Sequence, residues 1–222
     1  MPDNELHQFT RLILVRHGET AWNVEARLQG QLDIPLNPRG LEQARLTAEA
    51  LAHDAPDLVI SSDLSRARQT AEAIAAHTGR PLQTDPALRE RHFGLYQGMT
   101  HGEVSARWPE DAVRWRSRDP DFRPGGEGES LRMFHARCVD ALMRIGQAHA
   151  GRTVVVVAHG GVLDCLYRAA SRVEIDAPRS WSLDNAAINR LLYTSSGLTL
   201  VGWNDTHHLD GLAAVLDETA DR

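Results

Sequence analysis

The run Val154-Val155-Val156-Val157-Ala158, broken at once by His159-Gly160-Gly161, constrains this chain more than any other stretch. Consecutive apolar, mostly β-branched residues leave no polar face for water, so they read as a strand covered on both sides, the usual condition inside a parallel sheet. A similar run, Leu12-Ile13-Leu14-Val15, ends at Arg16-His17-Gly18, and a third, Leu58-Val59-Ile60, ends at Ser61-Ser62. Elsewhere apolar residues recur at helical spacing. Helices are expected from Pro38 to His53, from about Ser65 to His77, from Ser130 to Ala148 and from Val162 to about Ala170. Ile188 to Tyr193 and Leu198 to Trp203 read as two late strands. The alternation predicts an α/β fold on a mainly parallel sheet.

With 222 residues and no break in composition, one domain over 1–222 is expected. His92 to Glu129 departs from the pattern, with Phe93, Tyr96, Trp108, Trp115 and Phe122 lying among prolines, glycines and five arginines. It reads as an irregular lid with short helices; the competing reading makes its aromatics ordinary core.

All 24 basic residues are arginine, so lysine chemistry is closed to this chain and an anion site must be built from Arg, His and backbone N–H groups. The net charge of −6 speaks against nucleic acid and anionic membranes as partners. Cys138 and Cys165 read as buried thiols. No cysteine pair, His-Glu-x-x-His helix or histidine cluster has zinc-site spacing, so neither a metal nor a cofactor is expected. Gly125-Gly126-Glu127-Gly128 follows no strand and reads as a flexible turn. MPDNELHQFT lacks the basic and apolar regions of a signal peptide, and no apolar run reaches the length of a membrane span, so a cytoplasmic location is expected. The oligomeric state stays open, a homodimer included.

Ligands of open parallel sheets collect outside the carboxyl ends of the strands. Three strands end there in polar clusters: Arg16-His17-Gly18-Glu19-Thr20, Ser61-Ser62 leading to Arg66, and His159-Gly160-Gly161. A phosphoryl group in transfer spreads charge over three oxygens, which suits the forked guanidiniums of Arg16 and Arg66. A neutral imidazole at His17 attacks phosphorus, and two nearby guanidiniums disfavour its protonation. His159 steadies the transferring charge, with the Gly160 and Gly161 N–H groups aimed at the anion. Glu90 is the candidate proton donor, since a carboxyl beside a bound dianion holds its proton more tightly. A competing reading pairs Arg66 with Asp63 or Glu72 and leaves Glu90 a solvated charge between Arg89 and Arg91.

These residues, with Trp22-Asn23, Leu28-Gln29-Gly30, Ser61 to Ala67, Glu90 to Gly98 and Val157 to Gly161, resemble the histidine phosphatase (phosphoglycerate mutase-like) superfamily across roughly 11–205. The resemblance implies a three-layer αβα sandwich, phosphorylation of His17 during turnover, a phosphate pocket completed by Arg16, Arg66 and His159, and Glu90 as proton donor. It adds Asn23, Gln29 and Gly30 as phosphoryl contacts. Mutases of the family keep the phosphoryl group and phosphatases pass it to water. Glu90 to Gly94 leans towards the mutase form, which usually has Tyr where Phe93 stands. Against it, the interval from Glu90 to His159 is shorter than in cofactor-dependent mutases and His101 stands where they place Lys, and losing a cation weakens retention of a doubly charged intermediate. Phosphatase action on a small phosphorylated metabolite is therefore expected. A mutase, in which Arg91, Arg116 and Arg118 form a second anion site, and a non-catalytic phospho-ligand module are the alternatives. The motif Trp203-Asn204-Asp205-Thr206-His207-His208-Leu209 also resembles one in phosphatase members, and the sequence suggests no physical role for it.

Overall fold

The computed structural model describes residues 9–212. In chain order its elements are β1 (Thr10–Arg16), the single turn α1 (Ala21–Val24), α2 (Pro38–Ala52), β2 (Leu58–Ser61), α3 (Ser65–Thr78), β3 (Leu82–Thr84), α4 (His101–Arg107) and α5 (Pro109–Arg116). There follow α6 (Leu131–Ala148), β4 (Thr153–Ala158), α7 (Gly160–Ser171), β5 (Ile188–Thr194) and β6 (Gly197–Asp205). The strands form one sheet in the order β3-β2-β4-β1-β5-β6. β1 to β4 run parallel, while β5 is antiparallel to both β1 and β6. The short edge strand β3 escapes a sequence reading because its residues are half-buried or exposed and show no apolar run.

Alternate side chains of a strand point to opposite faces. Leu12, Leu14, Val154 and Val156 pack under α6 and α7 against Phe134, Leu142, Val162 and Leu166. Ile13, Val15, Val155 and Val157 face the other way, onto Ala48 and Leu51 of α2 and Ala67, Ala71 and Ile74 of α3. This is the αβα sandwich, and it explains why the valine run has no polar position. Helix ends follow local chemistry. The Asn37 carboxamide caps α2 through the Gly40 N–H at 2.8 Å, Ser130 caps α6 through the Met133 N–H, and α3 stops at Gly79 in the left-handed conformation.

The 92–129 segment contains α4 and α5 and closes over a small core of Leu28, Tyr96, Val104 and Phe122, joined by Phe93, Met99, Trp108 and Trp115. Its aromatics are thus mostly core, as the competing reading had it. Residues 125–128 do form a turn, seated against the backbone of residues 92–95 at Gly125 and Gly128. A Cβ on Gly94 would lie 2.4 Å from the Pro124 carbonyl oxygen and 2.9 Å from the Gly128 nitrogen, so two backbones touch there. No helix among the described residues is long and apolar enough to cross a membrane.

The turn after β1 lies on the first turn of α2. A Cβ on Gly40 would come within 2.1 Å of the Glu19 carbonyl oxygen, and one on Gly18 within 2.5 Å of the Gly40 carbonyl oxygen. Gly40→Ala must push these backbones apart, and we expect it to cost about 1–3 kcal/mol in urea denaturation. An unchanged midpoint would show that the contact can open freely.

Candidate active site

Arg16 sits opposite Ala158 in the β1/β4 register, and Ser61 opposite Val157 in that of β2 and β4. The next residue of each strand therefore leaves the sheet at one rim, and these residues are His17, Ser62 and His159. The His17 N–H donates to the Ala158 carbonyl and the Ser62 N–H to that of Val157, both at 3.0 Å. The two imidazoles meet edge to face with centroids 5.2 Å apart, and His159 Nε2 lies 2.8 Å from Ser62 Oγ. Arg66, in the first turn of α3, donates to the carbonyls of Gly30 at 2.8 Å and Leu32 at 2.9 Å and is 1% exposed. Neither Asp63 nor Glu72 takes it, because Asp63 is held by Arg89 and Glu72 pairs with Arg68.

His17 Nδ1 lies 2.7 Å from the Gly18 carbonyl oxygen. A carbonyl can only accept, so Nδ1 carries the proton and Nε2 keeps its lone pair. Burial, then the guanidiniums of Arg66 and Arg16, push the His17 pKa well below the ordinary imidazole value. The expected charge repulsion is present, but desolvation is the larger cause. Burial, Arg66, His17 and Arg16 lower His159 in the same way. Burial also pushes Arg66 down to about 10, against the pull of Glu90, and it remains a cation at neutral pH.

A cavity of about 520 Å³ opens over this rim, walled by Arg16, His17, Asn23, Gln29, Gly30, Arg66, Glu90 and Gly160 among the expected residues. His159 is fully buried and stands behind that wall, against the His17 ring. The Nε atoms of Arg16 and Arg66 are buried without a hydrogen-bond partner. Each such donor costs roughly 1–3 kcal/mol, and an anion between the two guanidiniums would relieve it. The Asn23 side-chain oxygen accepts from the Thr20 N–H at 3.0 Å and Asn185 Nδ2 at 3.3 Å, which leaves its NH2 group as the available donor. The Glu90 carboxylate accepts the N–H groups of Arg91 at 2.8 Å and Gly161 at 3.0 Å. Among the described residues no group of three or more His, Cys, Asp or Glu is arranged to hold a metal ion.

Several expectations are corrected. The Gly161 N–H grips Glu90 instead of facing the anion, and a Cβ at Gly161 would lie 2.3 Å from Glu90 Oε1. Arg91 does not border the main cavity. Its guanidinium donates to the carbonyls of Glu129 at 2.7 Å and Phe122 at 3.2 Å, tying together the ends of the 92–129 segment beside a smaller recess. Arg116 is exposed at the end of α5, reaches Ser105 Oγ at 3.4 Å and lines a separate recess. Arg118 donates to Asp164 at 3.1 Å and to the Ile175 carbonyl at 2.9 Å.

The sequence reading missed the loop between α7 and β5, which brings Arg179, Trp181, Ser182, Leu183 and Asp184 to the cavity. It has no apolar period and no motif; Arg179 pairs with no carboxylate among the described residues. Arg137 was also missed. From α6 it donates to the carbonyls of Ala87 at 2.8 Å, Arg89 at 2.9 Å and Glu90 at 3.3 Å, holding the irregular segment that carries Glu90.

The family model of the histidine phosphatase superfamily (branch 1) matches residues 12–206. Phosphoglycerate mutase-like protein 4 of Arabidopsis thaliana is 40% identical over 94% of this chain and 90% of its own length. The metal-independent phosphoserine phosphatase of the same plant is 38% identical over 92% of this chain and 85% of its own. Among solved structures, a mycobacterial glucosyl-3-phosphoglycerate phosphatase in complex with VO3 superposes with a TM-score of 0.80 at 35% identity, covering 88% of this chain and 99% of that one.

His17 and His159 are neutral in the folded state, whereas unfolded imidazoles take up protons near pH 6.5. Because the folded pKa is the lower one, their contribution to stability is complete above pH 6.5 and declines below it. At pH 5.5 each ring should have lost about 1.4 kcal/mol. Melting temperatures of the parent and of His159→Gln between pH 7.5 and 5.5 check this, and the parent should fall more steeply. Parallel slopes would mean that the ring titrates as it does in water.

Proposed function

The chain belongs to the histidine phosphatase superfamily (branch 1), and we propose that it hydrolyses small acidic phosphate monoesters through a phosphohistidine formed on His17. The observation that carries this reading is the state of His17: a buried neutral imidazole, its Nδ1 proton held by Gly18 and its Nε2 lone pair free, set between two guanidiniums. Nε2 attacks phosphorus as the P–O bond to the alcohol breaks, and the departing oxygen takes a proton from Glu90. Glu90 then removes a proton from water as its oxygen attacks phosphorus; the P–N bond breaks, giving inorganic phosphate. Charge on the transferring oxygens is met by Arg16, Arg66, the Gly160 N–H and the Asn23 amide, with His159 backing His17.

Hydrolysis is favoured over transfer because the cations available for a second anion site are engaged elsewhere. Arg91 and Arg118 line a smaller recess that shares Glu90 and Arg179 with the cavity, but their guanidiniums are already bound to the chain's own carbonyls and Asp164, and Arg116 lies off the cavity. His101 packs edge-on against Trp115 and burial lowers its pKa, which makes it a poor substitute for a lysine cation. Arg179, which lines both the cavity and the adjoining recess, supplies one remaining charge. Phosphoserine and glucosyl-3-phosphoglycerate, in the names of two relatives, each carry a carboxylate that such a charge would hold.

Phosphate release from phosphoserine, phosphoglycerates and neutral sugar phosphates, without added metal, tests the reading. We expect release from the acidic esters to outrun any transfer between the 2- and 3-positions of phosphoglycerate. His17→Ala should lower kcat/KM at least about a thousandfold, and full activity in that variant would refute the mechanism. Glu90→Gln should slow alkyl phosphates by about 10²–10⁴, and should spare p-nitrophenyl phosphate, whose leaving group needs little protonation.

A further inference from the structure

The motif Trp203 to Leu209 begins at the end of β6, and the structure gives its first residues a task at the cavity. Asn204 holds the left-handed conformation, with φ 54°. Its side-chain oxygen accepts the Asp184 N–H at 2.8 Å, and its Nδ2 donates to Asp184 Oδ2 at 2.7 Å. One carboxamide thus grips both the backbone and the carboxylate of Asp184. Its own N–H donates to Asn189 Oδ1 at 2.7 Å, and Asn189 Nδ2 reaches the Leu14 carbonyl of β1 at 3.1 Å. Trp203 adds a second hold on the same loop through Nε1 to the Ser182 carbonyl at 3.0 Å.

The inner side of that loop touches the phosphoryl site. The Leu183 carbonyl accepts from the Arg16 guanidinium. Asn185 Nδ2 donates to the His17 carbonyl at 3.0 Å and to Asn23 Oδ1 at 3.3 Å, and the Ala186 N–H donates to the Arg16 carbonyl at 3.0 Å. Trp203, the buried Leu183 side chain, Asn185 and Ala186 hold the flanks of this segment, but the Asp184 N–H and the Leu183 carbonyl are the two ends of one planar peptide unit, so Asn204 Oδ1 grips the plane whose other end meets Arg16. We infer that Asn204 is a positioning residue, whose grip on Asp184 sets the direction of the Arg16 guanidinium through the Leu183 carbonyl.

The inference rests on the reading of Arg16 as a phosphoryl ligand, and its test separates the two. Asn204→Gly removes the carboxamide and keeps the left-handed backbone without strain. Because Asp184 is exposed, its melting temperature should stay near that of the parent. Inhibition by orthovanadate should weaken about tenfold, as for one misplaced charge-assisted hydrogen bond, and kcat/KM for p-nitrophenyl phosphate should fall in step. A role in stability alone would move the melting temperature and leave the vanadate constant untouched.

The exchanged pair Asn204→Asp with Asp184→Asn keeps one carboxamide and one carboxylate in the clamp and should recover most of both losses. Should Asn204→Gly fold poorly, the exchanged pair decides: recovery supports the clamp, and a well-folded pair with weak vanadate inhibition overturns it. Unchanged vanadate inhibition and turnover in Asn204→Gly, beside an active parent, would overturn the inference alone. A parent that neither turns over nor is inhibited by vanadate would remove the phosphatase reading, and this inference with it.

Discussion

The parallel register of β1 with β4 is the constraint from which the rest of the site follows. It sets Arg16 opposite Ala158, so that the next residues, His17 and His159, turn off the sheet side by side. A slip of one residue would carry one ring about 3.3 Å along the strand and exchange the faces of the valine run. The two hydrophobic layers that forbid the slip also exclude water from the imidazoles, and desolvation is the first cause of their lowered pKa. Packing and the chemistry proposed for His17 therefore have one origin. The core that stabilises the sheet is the medium that keeps His17 unprotonated beside two cations.

A chain whose only strong cations are arginines solves several problems with one side chain. A guanidinium has five donors and can serve as a structural tie as readily as an anion receptor. Arg137 gathers the carbonyls before Glu90, Arg91 and Arg118 fasten the 92–129 segment, and Arg168 pairs with Asp164 in the interior. Arg66 does both, holding Gly30 and Leu32 while bordering the cavity. What distinguishes the proposed phosphoryl ligands is an unpartnered Nε on a guanidinium that borders the cavity; Arg168 also has an unpartnered N–H, at Nη2, but does not line it. Among the arginines that line the cavity and its adjoining recess, Arg91 and Arg118 are committed to the chain's own acceptors, and the proposed preference for water over a second substrate hydroxyl rests on that division.

Glu90 shows how the two sides of the sandwich cooperate. Its carboxylate is pinned by an N–H at the start of α7, and its backbone by an arginine of α6. Gly161 lies so close that any side chain there would displace the carboxylate. The glycine after Gly160 thus serves to seat the Glu90 carboxylate, the proposed proton donor, while Gly160 borders the cavity itself.

Runs of residues without a polar position were enough to locate β1, β2 and β4, since burial on both faces writes itself into composition. Helical spacing placed the helices that begin at Pro38 and near Ser130, and the polar residues following three strands identified His17, Arg66 and His159 as candidates that would meet. The same reading credited Arg91, Arg116 and the Gly161 N–H with anion binding, passed over Arg179 and Arg137, and left Asn204 without a role. Sequence by itself determined the layers and the rim, because periodicity and strand ends are local properties of the chain. Only the tertiary structure decided which cations and N–H groups stay available at that rim. That depends on whether a carbonyl or carboxylate from a distant segment reaches the donor first, and no local pattern records such a contact.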